Sequence, residues 1–254
     1  MTARLDGTVA LVTGASSGIG EATARALASE GSTMALVARR KDRLDALAGE
    51  ISGAGGAALA IEADVTDREQ AVDAVKRAVA ELGRLDMVVN NAGVMLLGPV
   101  VGAPLDEWER MVALNVEGLL YVAHAAVPHL LEAAGNGPRR VADLVNISSV
   151  AGRTARVGSA VYNLTKHGVG AFSESLRQEL ARRHVRVSLI EPGAVATELA
   201  THLRTEVREQ LGQRLAGVEI LRAADIADAV GYVVTRPRHV AVNEILIRPT
   251  EQEG

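Results

Sequence analysis

The sequence predicts an α/β protein: a doubly wound, seven-stranded, mainly parallel sheet with helices on both faces, in a single domain. Three observations predict it. Seven short apolar runs recur along the chain, TVALVT, TMALVA, AALAIEA, LDMVVN, VADLVNI, VRVSLIEP and VNEILI, rich in Val, Ile and Leu with little polar alternation. That is the pattern of strands covered on both faces. The stretches between them are amphipathic and long enough for the helical crossovers that parallel pairing requires. A chain of 254 residues with 48% hydrophobic content fills one large core, and no segment reads as a linker between two.

Taken in order, the first strand runs into TGASSGIG, which holds Gly14, Gly18 and Gly20. Such a turn lets bare backbone approach a pyrophosphate while helix N-terminal amides receive it. EATARALASEG reads as a helix ending at Gly31. After the second strand come Arg39 and Arg40, nineteen residues beyond Gly20. In dinucleotide-binding sheets this position meets the adenosine ribose, where an acid accepts from a free 2′-hydroxyl and Arg accommodates a 2′-phosphate. Two guanidiniums favour NADP(H) over NAD(H). Lys41 and Arg43 follow, and a solvated helix start has the same composition.

After the third strand come Asp64 and Val65, placed for an adenine edge. REQAVDAVKRAVAELG reads as a helix capped by Asp67 and closed by Gly83. The fourth strand leads to NNAG at 90–93, containing Asn91, Ala92 and Gly93. Both positions lie at carboxyl ends of strands, where open α/β sheets bind ligands. WERMVALNVEGLLYVA is a helical pattern containing Asn115, and GNGPRR at 135–140 is a loop before the fifth strand. That strand ends in Ser148 and Ser149. In VYNLTKHG at 161–168, Tyr162 and Lys166 stand four apart and share a helix face. The sixth strand precedes PGAVAT at 192–197, and ELATHLRTEVREQLGQRLAG reads as an amphipathic lid around 198–217 before the last strand.

Composition excludes several classes. A net charge of -4, with Arg interspersed among 31 acids, leaves no footprint for nucleic acid. With no Cys there is no disulfide or thiolate metal site, and the six His show no close pair with ligand spacing. His124 and His129 lie five apart and point in different directions on a helix. The N-terminus lacks the basic start and apolar run of a signal peptide, and no segment approaches the ~20 apolar residues of a membrane span. The expectation is a soluble, cytoplasmic protein whose partners are small molecules or other subunits, with no metal and no membrane.

The Tyr162/Lys166 pair stands out in a chain with three Tyr and three Lys against 24 Arg. A free phenol titrates near ~10. Positive charge nearby, from the Lys and from an oxidised nicotinamide ring, favours phenolate, so Tyr162 can exchange a proton near neutral pH. In reduction it would protonate the alkoxide forming from a carbonyl; in oxidation it would remove the alcohol's proton. Tyr121 and Tyr232 sit in apolar helical patterns and read as core or interface residues.

TGASSGIG, NNAG, Asn115 within ALNVEG, NISS at 146–149, YNLTK at 162–166 and PGAVAT occur in this order over nearly the whole chain. Jointly they resemble the short-chain dehydrogenase/reductase family, in its shorter, single-domain, Rossmann-type branch. MLLGPV, EPGAVATEL and the ending EILIRPT are similar to a subgroup that includes clavulanate dehydrogenase and NADP-dependent hydroxy-acid dehydrogenases. The ending departs from relatives that finish in a TG…DGG pattern. The resemblance implies NADP(H) contacts from Gly14, Ser16, Ser17, Gly18, Ile19, Gly20, Arg39, Arg40, Asp64, Val65, Asn91, Ala92 and Gly93, from Tyr162 and Lys166, and from Pro192, Gly193, Val195 and Thr197. It gives Lys166 a second task on the nicotinamide ribose. Ser149 would hydrogen-bond the substrate oxygen as charge develops; Ser148 competes for that role, and the family spacing favours Ser149. The Asn115 side chain would hold a water in a proton relay through Lys166.

The expected activity is an NADP(H)-dependent interconversion of a carbonyl and an alcohol, acting on a small polar or carboxylated aldehyde or ketone. Arg153, Arg156 and Arg204 border the substrate end as carboxylate partners or as solvated surface residues. Two rival readings are a nucleotide-sugar epimerase or dehydratase, for whose larger C-terminal domain the chain has no room, and a non-catalytic nucleotide sensor, which has no need of Ser149, Tyr162 and Lys166. The apolar circumference of the Tyr121 and Phe172 helices, with the family's habit, implies a homotetramer or dimer.

Overall fold

The structure, a computed structural model, describes residues 4–253. Met1–Ala3, the start of the segment read as lacking a signal peptide, lie outside the described residues, as does Gly254. In chain order the main elements are β1 (Val9–Thr13), α1 (Gly18–Ser29), β2 (Thr33–Ala38), α2 (Lys41–Gly53), β3 (Ala58–Glu62), α3 (Arg68–Leu82), β4 (Met87–Asn90), α4 (Leu105–Val112) and α5 (Leu119–Asn136). They continue with β5 (Ala142–Ile147), α6 (Ala160–Leu180), β6 (Val185–Pro192), β7 (Val195–Ala196), α7 (Thr205–Arg214), β8 (Leu221–Arg222), α8 (Ala223–Val234) and β9 (Glu244–Ile247).

Seven strands form one sheet in the order β3-β2-β1-β4-β5-β6-β9, with every described pairing parallel. The chain reverses its direction of travel between β1 and β4, so their carboxyl ends flank the crevice where such sheets take ligands. Alternate residues of each strand face opposite layers. Val9, Leu11, Val88 and Leu144 pack with α3 and α5 on one face. Ala10, Val12, Val89 and Val145 pack with α1, α2 and α8 on the other. Apolar side chains are therefore needed at both parities, which is why the seven runs lack alternation. β7 and β8 make a separate two-residue pair, too short to leave a periodic signal.

Local signals act where expected. Asp67 Oδ1 accepts from the backbone N–H groups of Glu69 and Gln70 and starts α3, and Gly83 ends it in the left-handed region at φ +81°. Gly31 follows the end of α1 at φ +97°. Two expectations need correction. The stretch at 135–140 is not all loop, because α5 runs through Gly135 and Asn136. The helical run Leu105–Asn136 has the length and mean hydropathy of a membrane span, although no run of that length appeared in the sequence. Scattered charges such as Glu117 and Glu132 interrupt every consecutive apolar stretch in it. In the fold, Val122, Ala126, Leu130 and Ala133 of this run pack into the core.

That run is also not one α-helix. Residues Ala113–Gly118 form a π-helical turn between α4 and α5, a widening often found at functional sites. Its cause lies in two distant contacts. Asn115 grips the backbone after β4 with both amide atoms, and a Cβ at Gly118 would lie 3.0 Å from the Val65 carbonyl oxygen.

Candidate active site

The glycine turn sits on the end of β4. Asn91 Nδ2 donates to the carbonyl oxygens of Thr13 and Gly14 at 3.0 and 3.3 Å, and Thr13 Oγ1 accepts from the N–H groups of Asn91 and Ala92 at 3.0 and 3.1 Å. Gly14 is at φ +66°, and any Cβ at Gly20 would collide with the Gly14 carbonyl and Asn91. Ser17 precedes α1 in an extended conformation with no side-chain cap, so the first helical amides remain available to an anion. Ile19 turns into the core. Gly18 is apposed to Thr197, whose Cγ2 would lie 3.1 Å from a Cβ there.

Arg40 spans this turn. Its Nε and Nη2 donate to Ser16 Oγ at 3.1 and 3.0 Å, and Nη2 reaches Ser17 Oγ at 2.7 Å. Nη1 donates to Glu198 Oε2 at 2.8 Å, and Arg43 donates to the other oxygen of the same carboxylate at 2.7 Å. The two guanidiniums, Arg43 first, hold the Glu198 carboxyl down at about 2. Arg39 is freer: 65% of its side chain is exposed and its contact with Asp64 is a loose 3.6 Å. Asp64 Oδ1 accepts from Thr66 N–H and Oγ1–H, and the Val65 side chain is buried against the π turn.

The chemistry-bearing side chains meet at the carboxyl ends of β4, β5 and β6. Tyr162 is 6% exposed and packs with Val94, Leu96 and Met111. Ser149 stands beside its hydroxyl and favours the charged form of the phenol. Ser149 also accepts from Ala151 N–H at 3.1 Å and faces the Pro192 carbonyl at 3.4 Å. Ser148, the competing serine, is buried and turned to the Lys166 carbonyl at 3.3 Å. Lys166 Nζ donates to the Ile147 carbonyl at 2.9 Å and lies 5.9 Å from the centre of the Tyr162 ring. Gly93 faces the same group: a Cβ there would be 3.3 Å from Asn115 Oδ1 and 3.9 Å from Lys166 Nζ.

Two features differ from the sequence-based expectation. Burial pushes the Tyr162 phenol up to about 12, against a smaller lowering by Ser149, and pushes Lys166 down to about 8. Removal of both groups from water opposes charge on each, so the chain alone holds phenol at Tyr162. The Asn115 side chain is already engaged: Oδ1 accepts from Val94 N–H and Nδ2 donates to the Val94 carbonyl, each at 2.8 Å. With a further Nδ2 contact to Thr165 Oγ1 at 3.3 Å, its described partners tie the π turn to the loop after β4 and to α6, and a relay water would need another anchor.

The loop after β6 is held by a residue that motif reading missed. Gln252 Oε1 accepts from Ala194 N–H at 2.9 Å, a Cβ at Gly193 would collide with it, and Gly193 N–H donates to the Ile247 carbonyl at 2.7 Å. Val195 continues into the β7 pair, and Thr197 Oγ1 accepts from Leu199 N–H at 3.3 Å as the 198–202 turn begins. Of the three arginines near the substrate end, Arg153 is paired with Glu191 and Glu244. Arg204 contacts Glu107 at 3.2 Å, and Arg156 is exposed. Tyr121 packs on the core, whereas Tyr232 is half exposed beneath Arg236. Among the described residues no three His, Asp or Glu converge on a metal position.

The chain is similar to several known proteins. Glycine betaine reductase ATRR of Emericella nidulans is 42% identical over 249 residues, covering 98% of this chain; the chain spans only 19% of that protein's length. An uncharacterized oxidoreductase of Staphylococcus aureus strain MRSA252 is 38% identical over 242 residues, 95% of this chain and 96% of its own. Among solved structures, the closed form of serine dehydrogenase complexed with NADP+ superposes with a TM-score of 0.88 at 32% identity, covering 97% of each chain. Residues 8–208 match the profile described as short chain dehydrogenase, and the glycine turn, NNAG and the Ser149, Tyr162 and Lys166 cluster all fall inside that span: the chain belongs to the short-chain dehydrogenase/reductase family.

Proposed function

We propose that this protein is an NADP(H)-dependent oxidoreductase that interconverts a carbonyl and an alcohol, reducing small polar or carboxylated aldehydes or ketones. The observation that carries the reading is the meeting of half-buried Ser149 with the buried Tyr162 and Lys166 beside an uncapped, glycine-framed helix start. NADP(H), when bound, supplies or accepts the hydride. The donor set fits it: free amides of α1 for a pyrophosphate, exposed Arg39 beside Arg40 for a 2′-phosphate, and the Lys166 ammonium for ribose hydroxyls.

The chain's own residues handle position and proton. Ser149 donates to the substrate oxygen as negative charge gathers on it. Tyr162, a phenol in the buried site, gives its proton to that oxygen, and Lys166 stabilises the phenolate left behind. In the opposite direction the same phenolate accepts the alcohol's proton. Val94, Leu96 and Met111 keep water from the phenol. Exposed Leu120 on α5 and Leu164 on α6 support association through these helices into a homotetramer or dimer. Light scattering that finds only a 26.5 kDa species overturns that assembly.

The test of function follows NADPH consumption across a panel of aldehydes and ketones, with and without carboxylates, repeated with NADH. Turnover that prefers NADPH, with Arg39→Asp selectively weakening NADPH, is the expected result. NADPH binding without turnover on any member favours the nucleotide-sensor alternative.

A further inference from the structure

Arg204, the residue before α7, reaches into a pocket lined by Leu96, Trp108, Met111 and Val161. Its Nη2 approaches the Leu97 carbonyl at 3.4 Å, and its Nε lies 3.2 Å from Glu107 Oε1. The Glu107 oxygen is close but not aligned, so Nε is a buried donor without a hydrogen-bond partner among the described residues. A desolvated guanidinium N–H in that state is unfavourable and is relieved by any acceptor that aligns with the fork. The backbone opposite leaves room for the guanidinium: residue 98 is glycine at φ +157°, and a Cβ there would collide with Nη2. Leu96 and Met111 also pack against Tyr162, so this pocket and the phenol share walls.

We propose that Arg204 is the receptor for a substrate carboxylate, with Glu107 holding its place in the ligand-free chain. The incoming carboxylate displaces Glu107 and aligns with the Nε and Nη2 donors, while its apolar stem lies against Trp108 and Met111. Glu107 itself marks the occupant's chemistry, because a carboxylate already stands beside the guanidinium. Of the other two candidates, Arg153 is paired with Glu191 and Glu244 and Arg156 is exposed. The proposal rests on the carbonyl-reductase reading and narrows it to carboxylated aldehydes and ketones.

Trp108 is the chain's one Trp and lines this pocket, so its emission reports entry without turnover. The probes are butanoate and its neutral isostere butanamide, titrated into the protein with and without NADP+, while NADPH binding is measured separately. Failure of NADPH binding then counts against the functional reading, whereas the Trp108 titrations judge Arg204. Butanoate is expected to change Trp108 emission saturably and to bind at least about 10-fold more tightly than butanamide. Arg204→Gln removes that preference, Arg204→Lys keeps part of it, and Glu107→Gln tightens butanoate several-fold without altering butanamide. Equal responses to the two probes, no response to either, or an unchanged preference in Arg204→Gln overturns the proposal.

Discussion

Burial acts in opposite directions on Tyr162 and Lys166, and the consequence is a pH dependence. Tyr162 is raised to about 12 and stays protonated through the neutral range, so it remains able to donate. Lys166 is lowered to about 8, so the ammonium that stabilises the departing phenolate is present below that pH and lost above it. Reduction should therefore slow as pH rises through about 8, measured as kcat/KM for the carbonyl at saturating NADPH. Lys166→Met should be slow at every pH and lack that limb. Tyr162→Phe keeps the ring's packing and removes the proton, so NADPH binding should persist while turnover falls by roughly 10²- to 10⁴-fold. A wild-type rate in Tyr162→Phe removes the proton-transfer role. The pairing of these two residues was legible from their spacing, whereas their protonation was not: Leu96 and Met111, far away in the chain, supply the burial.

The segment after β6 shows what a single element adds. Its root is fastened at Glu198, which takes Arg40 and Arg43 at 2.8 and 2.7 Å while Arg40 also grips Ser16 and Ser17. These groups are 40–45% exposed, so each pair contributes no more than about 1 kcal/mol, and salt screens it. Glu198→Gln should accordingly have a modest effect: hydrogen exchange over 198–217 quickens and NADPH release accelerates a few-fold, with wild type approaching the variant at high salt. Unchanged exchange and release would show that the ion pairs are incidental to the segment. The sequence reads 198–217 as an amphipathic lid, whereas α7 within it buries no residue, and its fastening was not readable because Arg40 and Glu198 are 158 residues apart. The seven strands were readable for the converse reason: burial on both faces writes an uninterrupted apolar run into each. The π turn escaped notice since its cause is the grip of Asn115 on Val94, a contact no helical periodicity records.

Across the whole molecule, one buried ion pair links the sheet to the parts that shape the site. Arg186 on β6 donates to Asp143 on β5 at 2.7 and 3.0 Å, and to the carbonyls of Val234, Arg236, Pro237 and Val240. Arg186 is 6% exposed and Asp143 fully buried. The carbonyls it gathers belong to the end of α8 and its connection to β9, and beyond β9 stands Gln252, which holds the Gly193–Ala194 backbone. Arg139 also pairs with Asp143 at 3.0 Å and donates to the Val234 carbonyl, and Val240 N–H donates to the Pro237 carbonyl, so loss of Arg186 leaves that carboxylate only partly compensated and takes the Arg186 donor from the Arg236 and Val240 carbonyls. Breaking a buried pair from one side costs about 3–5 kcal/mol, and the second arginine places Arg186→Gln toward the lower end. The variant should unfold at a clearly lower denaturant concentration. Below its transition, exchange should quicken first at 234–252, and NADPH affinity should fall although no altered residue touches the crevice. If stability falls while exchange at 234–252 and NADPH affinity remain those of wild type, Arg186 acts on the sheet alone and the path through β9 to the β6 loop carries no coupling.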